Sequence, residues 1–128
     1  MASPSSEQLP DAGDVFWCTS EGGIGQEEIG RHPWIVLSDR LAHKQTTLVF
    51  AVPMTSNPIP HRLTDILVTT PDLTFLEGAK IDVSKFGYVK CSKPRHWCVS
   101  RVVVVARFSR FFVKKLRNVV FDSVCPQV

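Results

Sequence analysis

The chain has 128 residues, about one core's worth, and its 44% apolar and 21% charged content excludes the low-hydrophobicity, high-charge composition of a disordered chain. Wholly apolar runs such as 102–106 fall far short of the roughly 20 residues of a spanning helix, and residues 1–11 show no basic cluster ahead of an apolar stretch. Neither a membrane segment nor a secretory signal is expected, and a cytoplasmic location follows. The net charge of +3 hides an asymmetry: residues 1–79 hold four basic and ten acidic side chains (−6), residues 80–117 hold eleven basic ones against Asp82 alone (+10), and Asp122 supplies the last −1. A cationic segment of that density suits nucleic acid or an acidic protein partner.

Residues 1–12, rich in Ser and Pro, read as a flexible N-terminal tail, and 13–128 as one domain. Residues 14–19 (DVFWCT) are dense in strand formers and run into a Gly-rich loop, 21–30, which suits neither a helix nor a strand interior. Strands are expected at 34–38 (WIVLS) and 47–54, joined by a polar segment long enough for one helical turn. Pro53, Pro58 and Pro60 bracket a rigid loop before a strand at 65–69. Further strands follow at 79–83, 87–91 and 101–107, with a Pro-containing turn at 92–98. Only 109–124 has helical period: Phe112, Val113, Leu116, Val119 and Val120 fall three and four apart, and Ser109 suits the N-cap. Short strands with one late helix describe a small, curved, mostly antiparallel barrel.

Cys18, Cys91, Cys98 and Cys125 contain no Cys-x-x-Cys pair, so reduced and mostly buried thiols are expected. Cys91, His96 and Cys98 lie too close together to match structural zinc spacing, and no metal is assigned. Trp17 and Trp34 lie within strand runs and are expected in the core. Trp97, flanked by His96, Arg95 and Arg101, either fills the barrel end or stacks on single-stranded RNA, a mix of rings and cations being what such RNA uses. His43 and His61 lie in polar segments.

Four elements in order carry a resemblance: Gly13-Asp14-Val-Phe-Trp opening the first strand; a Gly-rich loop with Glu27 ending in Arg31-His32-Pro33; Pro53-Met54-Thr55-Ser56 ending the third strand; and Val89-Lys90-Cys91-Ser92-Lys93-Pro94-Arg95. Together they resemble the MazF/PemK family of type II toxin–antitoxin toxins. That resemblance implies an SH3-like barrel of the MazF/PemK/CcdB type with a C-terminal helix, a homodimer, and no cofactor. It also implies an antitoxin partner with an acidic, apolar C-terminal segment, and cleavage of single-stranded RNA without metal. In such a reaction the ribose 2′-OH attacks the adjacent phosphate, leaving a 2′,3′-cyclic phosphate and a 5′-hydroxyl. RNA specificity follows from the nucleophile, which DNA lacks.

Carried over by position, the resemblance implies catalytic roles for His32, Arg31, Thr55, Lys90 and Glu27, and RNA contacts from Ser56, His61, Arg62, Ser92, Lys93, Arg95 and His96. Two positions depart from the family pattern. His32 stands where the family has Arg before Pro, and Lys90-Cys91-Ser92 stands where PemK-type members have Arg-Cys-Asp, so a carboxylate is replaced by a hydroxyl that is no general base near neutral pH. His32 is then the titrating group at a family catalytic position. The departures also motivate a second reading, an RNA- or protein-binding barrel with weakened catalysis. A gyrase-directed toxin ranks last, because residues 121–128 lack a Trp-bearing tail.

Overall fold

Short runs of aromatic and β-branched residues become strands, and the polar segment after the second of them becomes one short helix. The computed structural model describes residues 9–20, 30–55, 65–68, 73–75, 86–91 and 94–124. In chain order these form β1 (Asp14–Ser20), β2 (Gly30–Val36), α1 (Arg40–Thr46), β3 (Leu48–Thr55), β4 (Asp65–Leu67), β5 (Leu73–Phe75), β6 (Tyr88–Lys90), β7 (Arg95–Cys98), a 3-10 turn (Val99–Arg101), β8 (Val104–Phe108) and α2 (Arg110–Val124). The strands join in the order β4-β6-β3-β2-β1-β8-β5, with β7 added to β3. Every pairing is antiparallel. β3 holds the curve together: residues 48–51 pair with β7, while Met54 and Thr55 pair with β6. The architecture is a mostly β half-barrel with a C-terminal helix.

The central strands are buried on both faces, which is why they read as unbroken apolar runs rather than alternating ones. Val15, Ile35, Val52 and Met54 enter one cluster with Val89, Ala106 and Phe108, and α2 adds Phe112, Val113, Leu116 and Val120 to it. Phe16, Trp34, Val36, Val49 and Ala51 enter a second cluster with Trp97 of β7. The helix starts where the sequence places it, since Ser109 Oγ accepts the Phe112 N–H at 3.2 Å. Gly13 links these parts. Its φ is +96°, and a Cβ there would lie 2.8 Å from the Phe108 carbonyl oxygen and 3.1 Å from Val113 Cγ2, so only glycine lets the chain enter β1 this close to β8 and α2.

Several expectations need correction. β2 begins at Gly30 rather than 34, so Arg31 and His32 are strand residues instead of loop residues. The cause is Pro33, which biases the residue before it toward extended backbone. The turn expected over 92–98 contains β7, because Trp97 is drawn into the second core cluster. β8 starts at Val104 instead of 101, behind the 3-10 turn, and leaves Val103 exposed. β5 is too short to leave a periodic signal. Leu9 and Pro10, expected in the tail, make folded contacts: the Pro10 carbonyl accepts from His43 Nδ1 at 2.6 Å, and the Leu9 carbonyl accepts from Arg40 Nε at 3.1 Å. His43 is buried, not a polar-loop residue, and its Nε2 lies 2.5 Å from Ser38 Oγ. The strand expected at 79–83 and the Pro58–Pro60 loop lie outside the described residues.

Candidate active site

The candidate side chains gather where β1, β2 and β3 end together. Cys18 pairs with His32, and Thr19 with Arg31. On the other side of β2 the ladder runs Trp34–Pro53, Ile35–Val52 and Val36–Ala51, and just beyond it the His32 ring reaches the carbonyl of Met54, the residue before Thr55. Thr55 in turn pairs with Tyr88 of β6, two residues from Lys90. Three strands therefore carry His32, Thr55 and the β6 segment side by side.

His32 is half-buried, and its Nδ1 lies 3.0 Å from the Met54 carbonyl oxygen. A carbonyl can only accept, so Nδ1 carries the proton and donates it. The ring also meets Phe86 edge-on, with centroids 5.9 Å apart at 77°. Phe86 makes a second edge contact with Trp17, at 5.3 Å and 82°. Arg31 is exposed, and its guanidinium lies over the Trp17 ring, 5.5 Å from the centroid. Thr55 and Lys90 are buried, unusually for a lysine.

Arg95 and His96 stand elsewhere. They pair with Ala51 and Phe50, so four residues of β3, about 13 Å of strand, separate Arg95 from the level of Thr55. Arg95 lies 4.4 Å from the Trp97 ring centroid, and the exposed His96 ring packs 5.0 Å from Phe50. Trp97 is buried, with Arg101 also over its ring at 5.1 Å, so it fills the core rather than offering a stacking surface. Glu27, Ser56, His61, Arg62, Ser92 and Lys93 lie outside the described residues. Cys18 and Cys91 are buried free thiols and Cys98 an exposed one. The Cys98 thiol is held below its ordinary range by hydrogen bonds from the hydroxyl and backbone N–H of Ser100, helped by Arg101. Among the described residues no three His, Cys, Asp or Glu side chains gather as a metal would require.

Trp17 corrects the expectation of a core residue: it is half-buried at the rim of the larger cluster, beside the candidate groups. Neither it nor Phe86 stood out in the sequence as a site residue. Trp17 gave a signal, its position in Gly-Asp-Val-Phe-Trp one residue from the partner of His32; Phe86 gave none.

The eleven-to-one basic segment is only partly a free cationic surface. Arg107 Nε binds Asp14 at 2.6 Å and Arg117 Nη2 binds Asp39 at 2.7 Å, so two of its charges are matched by the acidic half. No described helix is long and apolar enough to cross a membrane.

Comparison with known proteins agrees with this architecture. No curated protein sequence matches the chain closely enough to serve as a relative. Among solved structures, MazF of Deinococcus radiodurans superposes with a TM-score of 0.66 at 22% identity, covering 91% of this chain and 96% of that one. A MazE–MazF complex of the same organism gives 0.63 at 22% identity, covering 93% and 98%. An endoribonuclease from a mycobacterial species, solved with its cognate antitoxin, gives 0.60 at 16% identity, covering 91% and 94%. At these identities the likeness establishes the fold. The family follows from the sequence profile of the PemK-like, MazF-like toxins of type II toxin–antitoxin systems, which matches residues 11–121, and the chain belongs to that family.

Proposed function

We propose that the chain is an endoribonuclease that cuts single-stranded RNA by attack of the ribose 2′-OH on the adjacent phosphate, without a metal ion. The observation that carries this reading is the hydrogen bond from His32 Nδ1 to the carbonyl of Met54, the residue before Thr55. It fixes one nitrogen as donor and directs Nε2 to proton transfer, as a base toward the 2′-OH or an acid toward the departing 5′-oxygen. Thr55 orients the phosphate, while Lys90 and Arg31 supply positive charge for the phosphorane. Glu27 is the second candidate for proton transfer, and Arg95 and His96 hold the strand farther along β3.

The family and the antitoxin-bound relatives support a cognate antitoxin as partner. An acidic, apolar C-terminal segment would complement the cationic half of this chain. A homodimer is supported by the exposure of large apolar side chains, Phe111 at 79% and Phe121 at 60%, that a lone barrel leaves uncovered. Sedimentation at micromolar concentration tests the dimer, and a clean monomer counts against it.

The deciding experiment incubates the purified protein with a long single-stranded RNA in EDTA. Fragments ending in 2′,3′-cyclic phosphate and starting with 5′-hydroxyl are expected. RNA that binds but stays intact would overturn catalysis and leave the binding barrel, the reading that the His32 and Ser92 replacements motivate.

A further inference from the structure

We propose that Trp17, with the Arg31 guanidinium laid over its ring, is a stacking seat for a nucleobase of the RNA strand held beside His32. This inference rests on the RNA-cleaving reading and assigns a specificity-determining part to the same site.

The first observation is where Trp17 sits. The other tryptophans are core residues, Trp34 at 2% and Trp97 at 3% exposure, whereas Trp17 stays half-buried at the rim. The second is what covers it. Arg31 is exposed and held 5.5 Å from the Trp17 centroid, a cation–π arrangement. A guanidinium in that position offers its planar face for stacking, while its N–H groups remain in plane for phosphate oxygens. Unstacked RNA bases pack on aromatic rings and on arginine planes, so an Arg-on-Trp layer is suited to a base.

The third observation is what braces the pair and where it lies. Phe86 touches Trp17 and His32 with ring edges, at 5.3 and 5.9 Å, which ties the seat to the proton-transfer group through one side chain. Trp17 and His32 both meet the Phe86 ring, so a base seated on Trp17 belongs to a nucleotide near the cleaved bond. The arrangement selects for a stacked base at that position, and the strength of stacking rather than a hydrogen-bond pattern sets the preference.

Tryptophan emission tests this directly, because the two buried tryptophans are shielded from a bound base. The probe is a mixed-sequence 2′-O-methyl RNA pool, which lacks the nucleophile and stays intact, with binding followed separately by anisotropy of a labelled strand. Quenching on binding is expected with this pool and not with an abasic strand of equal phosphate number. Trp17→Phe should bind but lose the quenching, and Trp17→Ala should weaken binding about 5- to 150-fold. Equal quenching by the abasic strand, or quenching that survives in Trp17→Phe, would overturn the seat while leaving RNA binding in place. If the pool does not bind at all, the RNA reading falls and the seat falls with it. Should Trp17→Ala fail to fold, the Trp17→Phe comparison decides.

Discussion

The imidazole of His32 donates through Nδ1 to the main-chain carbonyl of Met54 at 3.0 Å, so an adjacent strand fixes the orientation of the ring. A residue placed only for surface solvation needs no such anchor. Removing an acid–base group typically lowers the rate ~100- to 10,000-fold, whereas losing a phosphate contact mainly weakens binding. His32→Gln should therefore abolish cleavage with RNA affinity nearly kept, measured as single-turnover rate beside anisotropy. A rate within about threefold of the parent, well short of the ~100-fold expected, would make His32 a scaffold residue. Glu27→Gln would then be the next variant.

Salt dependence separates cations that meet RNA from those folded into ion pairs. On a single strand, log K falls by ~0.7 per phosphate neutralised for each tenfold rise in salt. Arg117 is committed to Asp39 and to the Leu37 carbonyl, at 2.7 Å each, so Arg117→Gln should leave the slope unchanged. Arg95→Gln should reduce it by about one phosphate's share, ~0.7. A titration in which both variants match the parent would remove Arg95 from the RNA surface.

Much of the barrel was legible in the sequence because its signals are local. WIVLS and the residues around Val52 are apolar enough to be strands in any context, and the spacing of Phe112, Leu116 and Val120 admits only a helix. What the sequence hid depends on partners distant in the chain. β7 is a strand because Trp97 finds Phe16 and Trp34, at 6.5 and 5.0 Å between ring centroids, and nothing near Trp97 announces them. Leu9 and Pro10 look like tail until Arg40 and His43 bind their carbonyls across some thirty residues. The site divides in the same way. Arg31, His32 and Thr55 stood out through motifs, but Phe86, which touches two site rings, lies in a motif-free segment and is placed there only by the fold.

Acid should loosen the N-terminal segment first. Burial of Asp11 raises its pKa, but the Arg40 and Ala12 N–H groups, at 3.0 and 2.9 Å, together with the charges of Arg40 and Arg110, more than offset this and hold it below its ordinary 3.8. A group with a lowered folded pKa contributes stability above its unfolded pKa and loses it as pH falls through the folded value. The Asp11 contribution is thus complete at neutral pH and disappears at pH below about 4. Urea midpoints measured down that range should fall less steeply for Asp11→Asn than for the parent. Identical acid limbs would show that the clasp on α1 does not contribute.

The ion pair between Asp14 and Arg107 should prove asymmetric. Arg107 Nε reaches Asp14 at 2.6 Å, yet the arginine side chain is 54% exposed and the aspartate only 2%. The hydrogen bond and charge of Asp14 push the guanidinium pKa up, as expected for a cation held by a buried anion. Asp14 also accepts the Asp11 N–H at 2.8 Å, which keeps the carboxylate side of the pair tied to the chain. Truncating each partner has different consequences. Arg107→Ala strands a buried carboxylate beside a single N–H donor, and the cost should be about 3 kcal/mol, at the low end for a broken buried pair because water gains access. Asp14→Asn leaves Arg107 free to hydrate and retains an oxygen for the Asp11 N–H, so it should cost about 1 kcal/mol. Denaturant midpoints of the two variants decide. If Asp14→Asn proves as damaging as Arg107→Ala, the carboxylate itself holds β1 against β8 through contacts beyond this pair.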